Sequence, residues 1–148
     1  MRTFTLSPTS MLTLAIIKPD AVAAHTTGKI LAHLEGAGFA VRAAHLVRLT
    51  TPQAEAFYAV HRERPFFRSL VTFMTSGPGL ALALERDDAV ARLREVIGAT
   101  DPAAAAPGTI RKLYAQSKER NAIHASDSPE NAAREVAFFF PEAELAGL

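Results

Sequence analysis

The run Arg120-Asn121-Ala122-Ile123-His124-Ala125-Ser126-Asp127-Ser128 sets one imidazole among an amide, two hydroxyls and a carboxylate, just ahead of a helix start. A neutral imidazole is among the few good nucleophiles available near pH 7 without elaborate activation. His124 is therefore a candidate for nucleophilic or acid–base chemistry. Asn121 stands three residues before it, and on a straight strand such residues face opposite sides. If both serve one site the backbone must bend between them, so an irregular strand end is expected here. Toward the other end of the chain, Lys18 closes a nearly all-apolar run just before Pro19, where a buried stem and a reaching ammonium are expected. Gly28-Lys29 looks like the close of a phosphate-binding glycine loop. Ile30 follows, however, where that loop needs Ser or Thr, and Ala23 occupies the position of its first glycine. Any phosphate must be held another way.

Composition narrows the setting. A chain of 148 residues is long enough for one domain with a real core and short for two. Its 49% hydrophobic and 21% charged content is that of a globular protein rather than a disordered one. A net charge of +1 with interleaved signs argues against nucleic acid as a main partner. The absence of cysteine excludes disulfides and thiolate metal sites and suits a reducing cytoplasm. No apolar run approaches the roughly 18 residues of a membrane helix. Residues 1–11 are rich in Ser, Thr and Pro and carry one Arg. They are expected as a flexible extension, with Met11 a candidate start, and residues 12–148 as a single domain.

The elements that must position these groups can be read from pattern. Leu12 to Lys18 predicts a buried central strand. Ile30, Leu31, Leu34 and Ala37 line one face of a helix from Gly28. Alternation from Phe39 to Leu49, with Arg42 and Arg48 on the opposite face, predicts a half-buried strand. Thr51-Pro52 predicts a helix start running through Val60. Pro65 to Met74 predicts another helix, ended by Ser76-Gly77-Pro78-Gly79. Leu80 to Leu84 follows as a strand. Asp87 or Asp88 caps a helix carrying Val90, Leu93, Val96 and Ile97, with Gly98 beyond its end. Residues 99–109 are expected as an ordered loop, 121–125 as the fourth strand, and Ser128-Pro129 as the start of a last helix ending at Phe140-Pro141. This order fits an α+β fold of the ferredoxin-like, split βαβ kind: a four-stranded antiparallel sheet covered by helices.

Several motifs now stand in one order: Leu14-Ala15-Ile16-Ile17-Lys18-Pro19-Asp20, Phe57-Tyr58, His61, Pro65-Phe66-Phe67, Phe73-Met74-Thr75-Ser76-Gly77-Pro78, Arg94, Gly98-Ala99-Thr100-Asp101-Pro102 and Pro107-Gly108-Thr109-Ile110-Arg111. With the His124 run they resemble the nucleoside diphosphate kinases, from about Leu12 to Phe140. The resemblance implies the ferredoxin-like fold and a ping-pong transfer of the γ-phosphate of a nucleoside triphosphate to a nucleoside diphosphate, in nucleotide pool balance. It implies a phosphohistidine on the pros nitrogen of His124, a choice of nitrogen that the residues alone do not give. Glu135 and Ser126 would orient that ring, although by helical position alone Glu135 also reads as a solvated glutamate. Lys18 would reach the sugar and the transferring phosphate, and Asn121 would share the sugar contact. Tyr58 would stand near the nucleophile, or else be core.

Arg94, Thr100 and Arg111 would bind phosphate, a task that suits arginine's planar fork. Phe66 would stack on the base, while Phe67 is expected in the core. His25, His33, His45 and His61 are expected to be structural. The resemblance also implies Mg²⁺ held mainly by the nucleotide's phosphates rather than by a protein metal site. It further implies a cytoplasmic homotetramer or homohexamer with no membrane partner. One departure stands out: the family most often has glycine after the nucleophile, and here Ala125 occupies that place. The alternative it raises is a catalytically weak nucleotide-binding, or nucleic-acid-binding, regulatory module of the same fold.

Overall fold

The structure is a computed structural model that describes residues 10–146. Strand β1 (Ser10–Ile17) lies at the centre of the sheet, and the strand order is β2-β3-β1-β4. Strands β2 (Ala40–Val47), β3 (Gly79–Asp87) and β4 (Ile123–Ala125) complete it, and every pairing is antiparallel. The helices are α1 (Pro19–Ala23), α2 (Thr27–Gly36), α3 (Thr51–Phe57), α4 (Phe67–Met74), α5 (Ala89–Ile97), α6 (Ile110–Tyr114), α7 (Pro129–Phe139) and α8 (Glu142–Leu145). This is the ferredoxin-like α+β arrangement expected from the sequence. Of the expected extension, residues 1–9 lie outside the described residues, whereas Ser10 and Met11 pair with Asp87 and Arg86 as part of β1.

Strand β1 is apolar on both sides because it is buried on both sides. Ala15 and Ile17 enter one core with Ile30 and Leu34 of α2, Leu93 and Ile97 of α5, and Ile110 of α6. Leu14 and Ile16 enter a second core with Phe57 of α3, Val71 of α4 and Val136 of α7. Each such aliphatic side chain contributes roughly 1.5–3 kcal/mol on burial.

The edge strand β2 departs from simple alternation. Its register against β3 slips between Val41 and Ala43, leaving Arg42 as a bulge residue. Phe39 and Val41 therefore face the first core, while Ala43, Val47 and Leu49 face the second. One extra residue moves every later side chain to the opposite face.

Local signals correct one boundary and decide another. Helix α3 is capped by Thr50 rather than Thr51: Thr50 has an extended backbone, its hydroxyl accepts from the Gln53 amide, and its own amide donates to Gln53 Oε1 in return. Of the two aspartates before α5, Asp88 is the cap residue, in a left-handed conformation and without a side-chain cap bond. Beyond α5, Gly98 has φ 87°, and a Cβ there would lie 2.6 Å from Thr109 Oγ1. Only glycine lets the loop of residues 98–109 close against Thr109 and bring Thr100 and Arg111 back toward β4.

Candidate active site

His124 sits in the middle of β4, opposite Ile16. Its ring emerges on the face of the second core, edge-on to Phe57 (centroids 5.3 Å) and Tyr58 (5.9 Å). Across from it, α7 presents Glu135, which is buried despite its charge. Glu135 Oε1 lies 2.7 Å from His124 Nε2 and accepts from Ser126 Oγ at 2.8 Å. The helical flank that allowed a solvated glutamate is thus turned inward. A carboxylate acts only as an acceptor, so it holds the proton on Nε2 and leaves Nδ1 with a free lone pair. Among the described residues Nδ1 has no hydrogen-bond partner. Burial pushes the His124 pKa below its ordinary value; Glu135 pulls it back up, and the Lys18 and Arg111 cations push it down again. The lowered pKa favours the neutral ring, with its lone pair at Nδ1.

The bend expected between Asn121 and His124 is present. Ala122 has φ 74°, and the Ile123 amide donates to the Asn121 carbonyl at 2.9 Å, closing a three-residue turn. A non-glycine residue held there costs about 1–3 kcal/mol. The turn lets Asn121 and His124 line one pocket. Lys18 Nζ donates to Asn121 Oδ1 at 2.8 Å, and Asn121 Nδ2 donates to the Thr100 carbonyl at 3.3 Å. Burial and the nearby Arg111 cation lower Lys18 to about 8, partly offset by Asp20 and Glu119.

Because β4 is an edge strand, helices from both faces of the sheet reach around it. Arg94, in the last turn of α5, donates to the Ala125 carbonyl at 3.4 Å. Arg111, on α6, is buried and donates to the Gly98 carbonyl at 3.1 Å and the Ile123 carbonyl at 2.7 Å. Burial and Arg94 lower it to about 10, so it remains a cation at neutral pH. Its Nε is buried and unpartnered among the described residues, as is the Tyr58 hydroxyl, whose pKa burial and Glu135 push upward. Two donors are thus desolvated without protein acceptors, which leaves them for something else to satisfy.

These groups line one cavity of about 540 Å³ that contains all the expected site residues except the buried Ser126. At its mouth Phe66 is 48% exposed, while the neighbouring Phe67 is buried as expected. His61, expected to be structural, instead lines the cavity with its ring 5.4 Å from that of Phe66. His45, on β2, packs on Phe140 and pairs with Glu144 away from the cavity. Sequence reasoning passed over Lys118, Glu119 and Asn131 and gave no role to Asp127, all of which also line it. Asp127 is held by Asn131 Nδ2 at 2.6 Å. Spacing within the His124 run could have flagged Asp127, whereas Lys118 and Glu119 are ordinary members of a surface charge run.

Ala125 resolves the departure noted above. It lies in extended β4 opposite Ala15, with its side chain in the first core, on the face away from the His124 ring. It is absent from the positive-φ residues. Nothing at this position demands glycine.

A neutral histidine among desolvated cations, under an aromatic mouth, suits an anionic ligand with a flat ring. On this fold it defines the class of a histidine-bearing phosphotransferase. The family model described as nucleoside diphosphate kinase matches residues 12–145. The nucleoside diphosphate kinase of Sorangium cellulosum is 59% identical over 134 residues, covering 90% of this chain and 93% of that protein. The structure is similar to that of the Aquifex aeolicus nucleoside diphosphate kinase, with TM-score 0.90, 48% identity, and coverage of 91% and 98%. It is also similar to the Halobacterium salinarum nucleoside diphosphate kinase solved in complex with CDP, with TM-score 0.87, 39% identity, and coverage of 91% and 90%. The chain belongs to the nucleoside diphosphate kinase family.

Proposed function

We propose that this chain transfers the γ-phosphoryl group of a nucleoside triphosphate to a nucleoside diphosphate and carries it on Nδ1 of His124, serving nucleotide pool balance. The observation that carries this reading is the bond from His124 Nε2 to Glu135, which leaves Nδ1 as the free nitrogen. Nδ1 attacks the γ-phosphorus; the P–N bond forms as the P–O bond to the β-phosphate breaks and the diphosphate leaves. The second diphosphate then attacks the same phosphorus through a terminal oxygen, breaking the P–N bond. Glu135, itself held by Ser126, steadies the positive charge that the ring gains in the first step.

For the other residues the family resemblance suggests roles that their positions support. Arg94, Arg111 and Thr100 hold the phosphates, and the unpartnered Tyr58 hydroxyl donates to the transferring group. Lys18 bridges the sugar hydroxyls and that group, with Asn121 sharing the sugar. Phe66 stacks on the base, and stacking tolerates any base. A divalent ion offsets charge on the β- and γ-phosphates in such transfers. We take it to be Mg²⁺, entering on the nucleotide. The cationic pocket, lined by Lys18, Arg94 and Arg111, fits a chelated nucleotide.

We further propose a homo-oligomer, a tetramer or hexamer, supported by the place of β2 at the end of the sheet among the described residues, with Leu46 66% exposed. A cytoplasmic setting goes with the nucleotide substrates. Among the described residues no helix is long and apolar enough to cross a membrane. The extended backbone at Ala125 removes the ground for a catalytically weak module.

Initial-rate kinetics test the carrier directly. With ATP and dTDP varied against each other, double-reciprocal plots should give parallel lines. Converging lines, meaning a ternary complex, would contradict the phosphohistidine carrier.

A further inference from the structure

We infer that Asp20 is a positioning residue for the transfer, holding the strained turn that lets Asn121 and His124 serve one pocket. The inference rests on the reading of His124 as the phosphoryl carrier. Ala122 carries a Cβ yet adopts φ 74°, a conformation that L-residues avoid. Left alone, the chain from Asn121 to His124 would relax toward an extended strand, and the two side chains would point to opposite faces.

Beyond the turn's own Ile123–Asn121 bond and the Asn121–Thr100 contact, what opposes that relaxation comes from one short segment, Lys18-Pro19-Asp20. The Lys18 amide donates to the Ala122 carbonyl at 2.9 Å. The Ala122 amide donates to Asp20 Oδ2 at 3.1 Å. Lys18 Nζ reaches Asn121 Oδ1 at 2.8 Å. Both backbone polar groups of the strained residue are therefore held by residues two apart at the start of α1, where Pro19 fixes the backbone.

The carboxylate is an expensive choice for this task. Asp20 is 8% exposed, and its Oδ1 is buried without a partner among the described residues. Ala122 is fully buried, so without Asp20 its amide would lose its acceptor in a place that water does not reach. Asp20 does not line the cavity; it holds the turn, and its charge also favours the protonated form of Lys18.

The test compares Asp20→Ala, Asp20→Asn and the double variant Asp20→Ala/Ala122→Gly. Three readouts are taken: the single-turnover rate of His124 phosphorylation by Mg·ATP, the KM for ATP, and amide exchange at residue 122. Asp20→Ala should slow phosphorylation by about tenfold to hundredfold while KM moves less than about threefold, because Phe66, Arg94 and Thr100 stand on other elements. The amide at 122 should exchange faster. Asn keeps an acceptor oxygen, so Asp20→Asn should stay within about threefold of the wild type. Glycine accepts the positive φ freely, so adding Ala122→Gly should recover part of the lost rate.

A folded Asp20→Ala variant with wild-type phosphorylation rate and unchanged exchange at 122 would overturn the inference. So would an Asn variant as slow as the Ala variant. If Asp20→Ala does not fold, Asp20→Asn alone decides by the same threshold. A wild type that takes no label at all would overturn the carrier reading instead, and exchange at 122 would still report on the clamp.

Discussion

Glu135 Oε1 lies 2.7 Å from Nε2 of His124, close enough for a charge-assisted hydrogen bond, and the carboxylate is buried where water cannot compete for it. The pair fixes which nitrogen is free. Replacing Glu135 by Gln keeps the shape but removes the charge. A hydrogen bond to a charged group is worth about 1.5–3 kcal/mol, so kcat should fall by about tenfold to hundredfold with KM nearly unchanged. Ser126→Ala, which loses a neutral donor to the same oxygen, should cost less than about tenfold. Steady-state kinetics of both variants check the order. A Gln variant with wild-type kcat would show that the carboxylate does not act on the ring.

The pH dependence follows from two depressed basic groups. Burial lowers His124 below its ordinary value of 6.5, so the acid limb of kcat/KM should have its midpoint below pH 6.5. Lys18, lowered to about 8 from an ordinary 10.5, should set the alkaline limb near pH 8. The stability signs agree in direction. Between about 8 and 10.5 the unfolded chain binds the Lys18 proton and the folded chain does not, so stability from this group rises with pH. Unfolding likewise takes up a proton at His124 below pH 6.5, and stability is lost as the pH falls. A pH–rate profile flat to pH 10 would contradict a role for the Lys18 ammonium.

Ala125→Gly separates packing from catalysis. The methyl is buried in the first core on an extended strand, so its loss should cost about 1–2 kcal/mol of stability by denaturant titration. The kcat should change less than about tenfold. A gain of about a hundredfold over a nearly inactive parent would show that alanine disables the site.

The residues proposed to carry this chemistry are legible because their types are unusual where they stand: a lysine closing an apolar strand, a histidine inside a polar run, an aromatic pair after a proline. The strands and longer helices were legible from period. Short elements were not, because α1, α6 and α8 have only four or five residues, too few to show a helical period. The bulge at Arg42 was also hidden, because Phe39 to Leu49 alternates in sequence as though one face were kept throughout. His61 was assigned to structure because its role at the cavity depends on a 3-10 turn, Ala59–His61, that carries no sequence signature. The bend at Ala122 could be expected only from the demand that Asn121 and His124 meet, and its partner Asp20 lies a hundred residues away in the chain, beyond any local pattern.

Phe66, half-exposed at the mouth, offers a ring face rather than hydrogen bonds. With GDP, CDP, UDP and dTDP as acceptors, kcat/KM should therefore vary by about tenfold, or roughly 1.4 kcal/mol. Phe66→Ala should raise KM for all four. A preference of about 10⁴ for one base would mean that polar groups read its edge.

The most direct measurement is the covalent intermediate itself. Incubated with γ-labelled ATP and Mg²⁺ but no acceptor, the protein should acquire acid-labile, alkali-stable label on Nδ1 of His124, and any nucleoside diphosphate should chase it into the triphosphate. His124→Ala should acquire none. A wild type that takes no label, label on Nε2, or full labelling of the His124→Ala variant would contradict the assignment of His124 Nδ1 as the phosphoryl carrier.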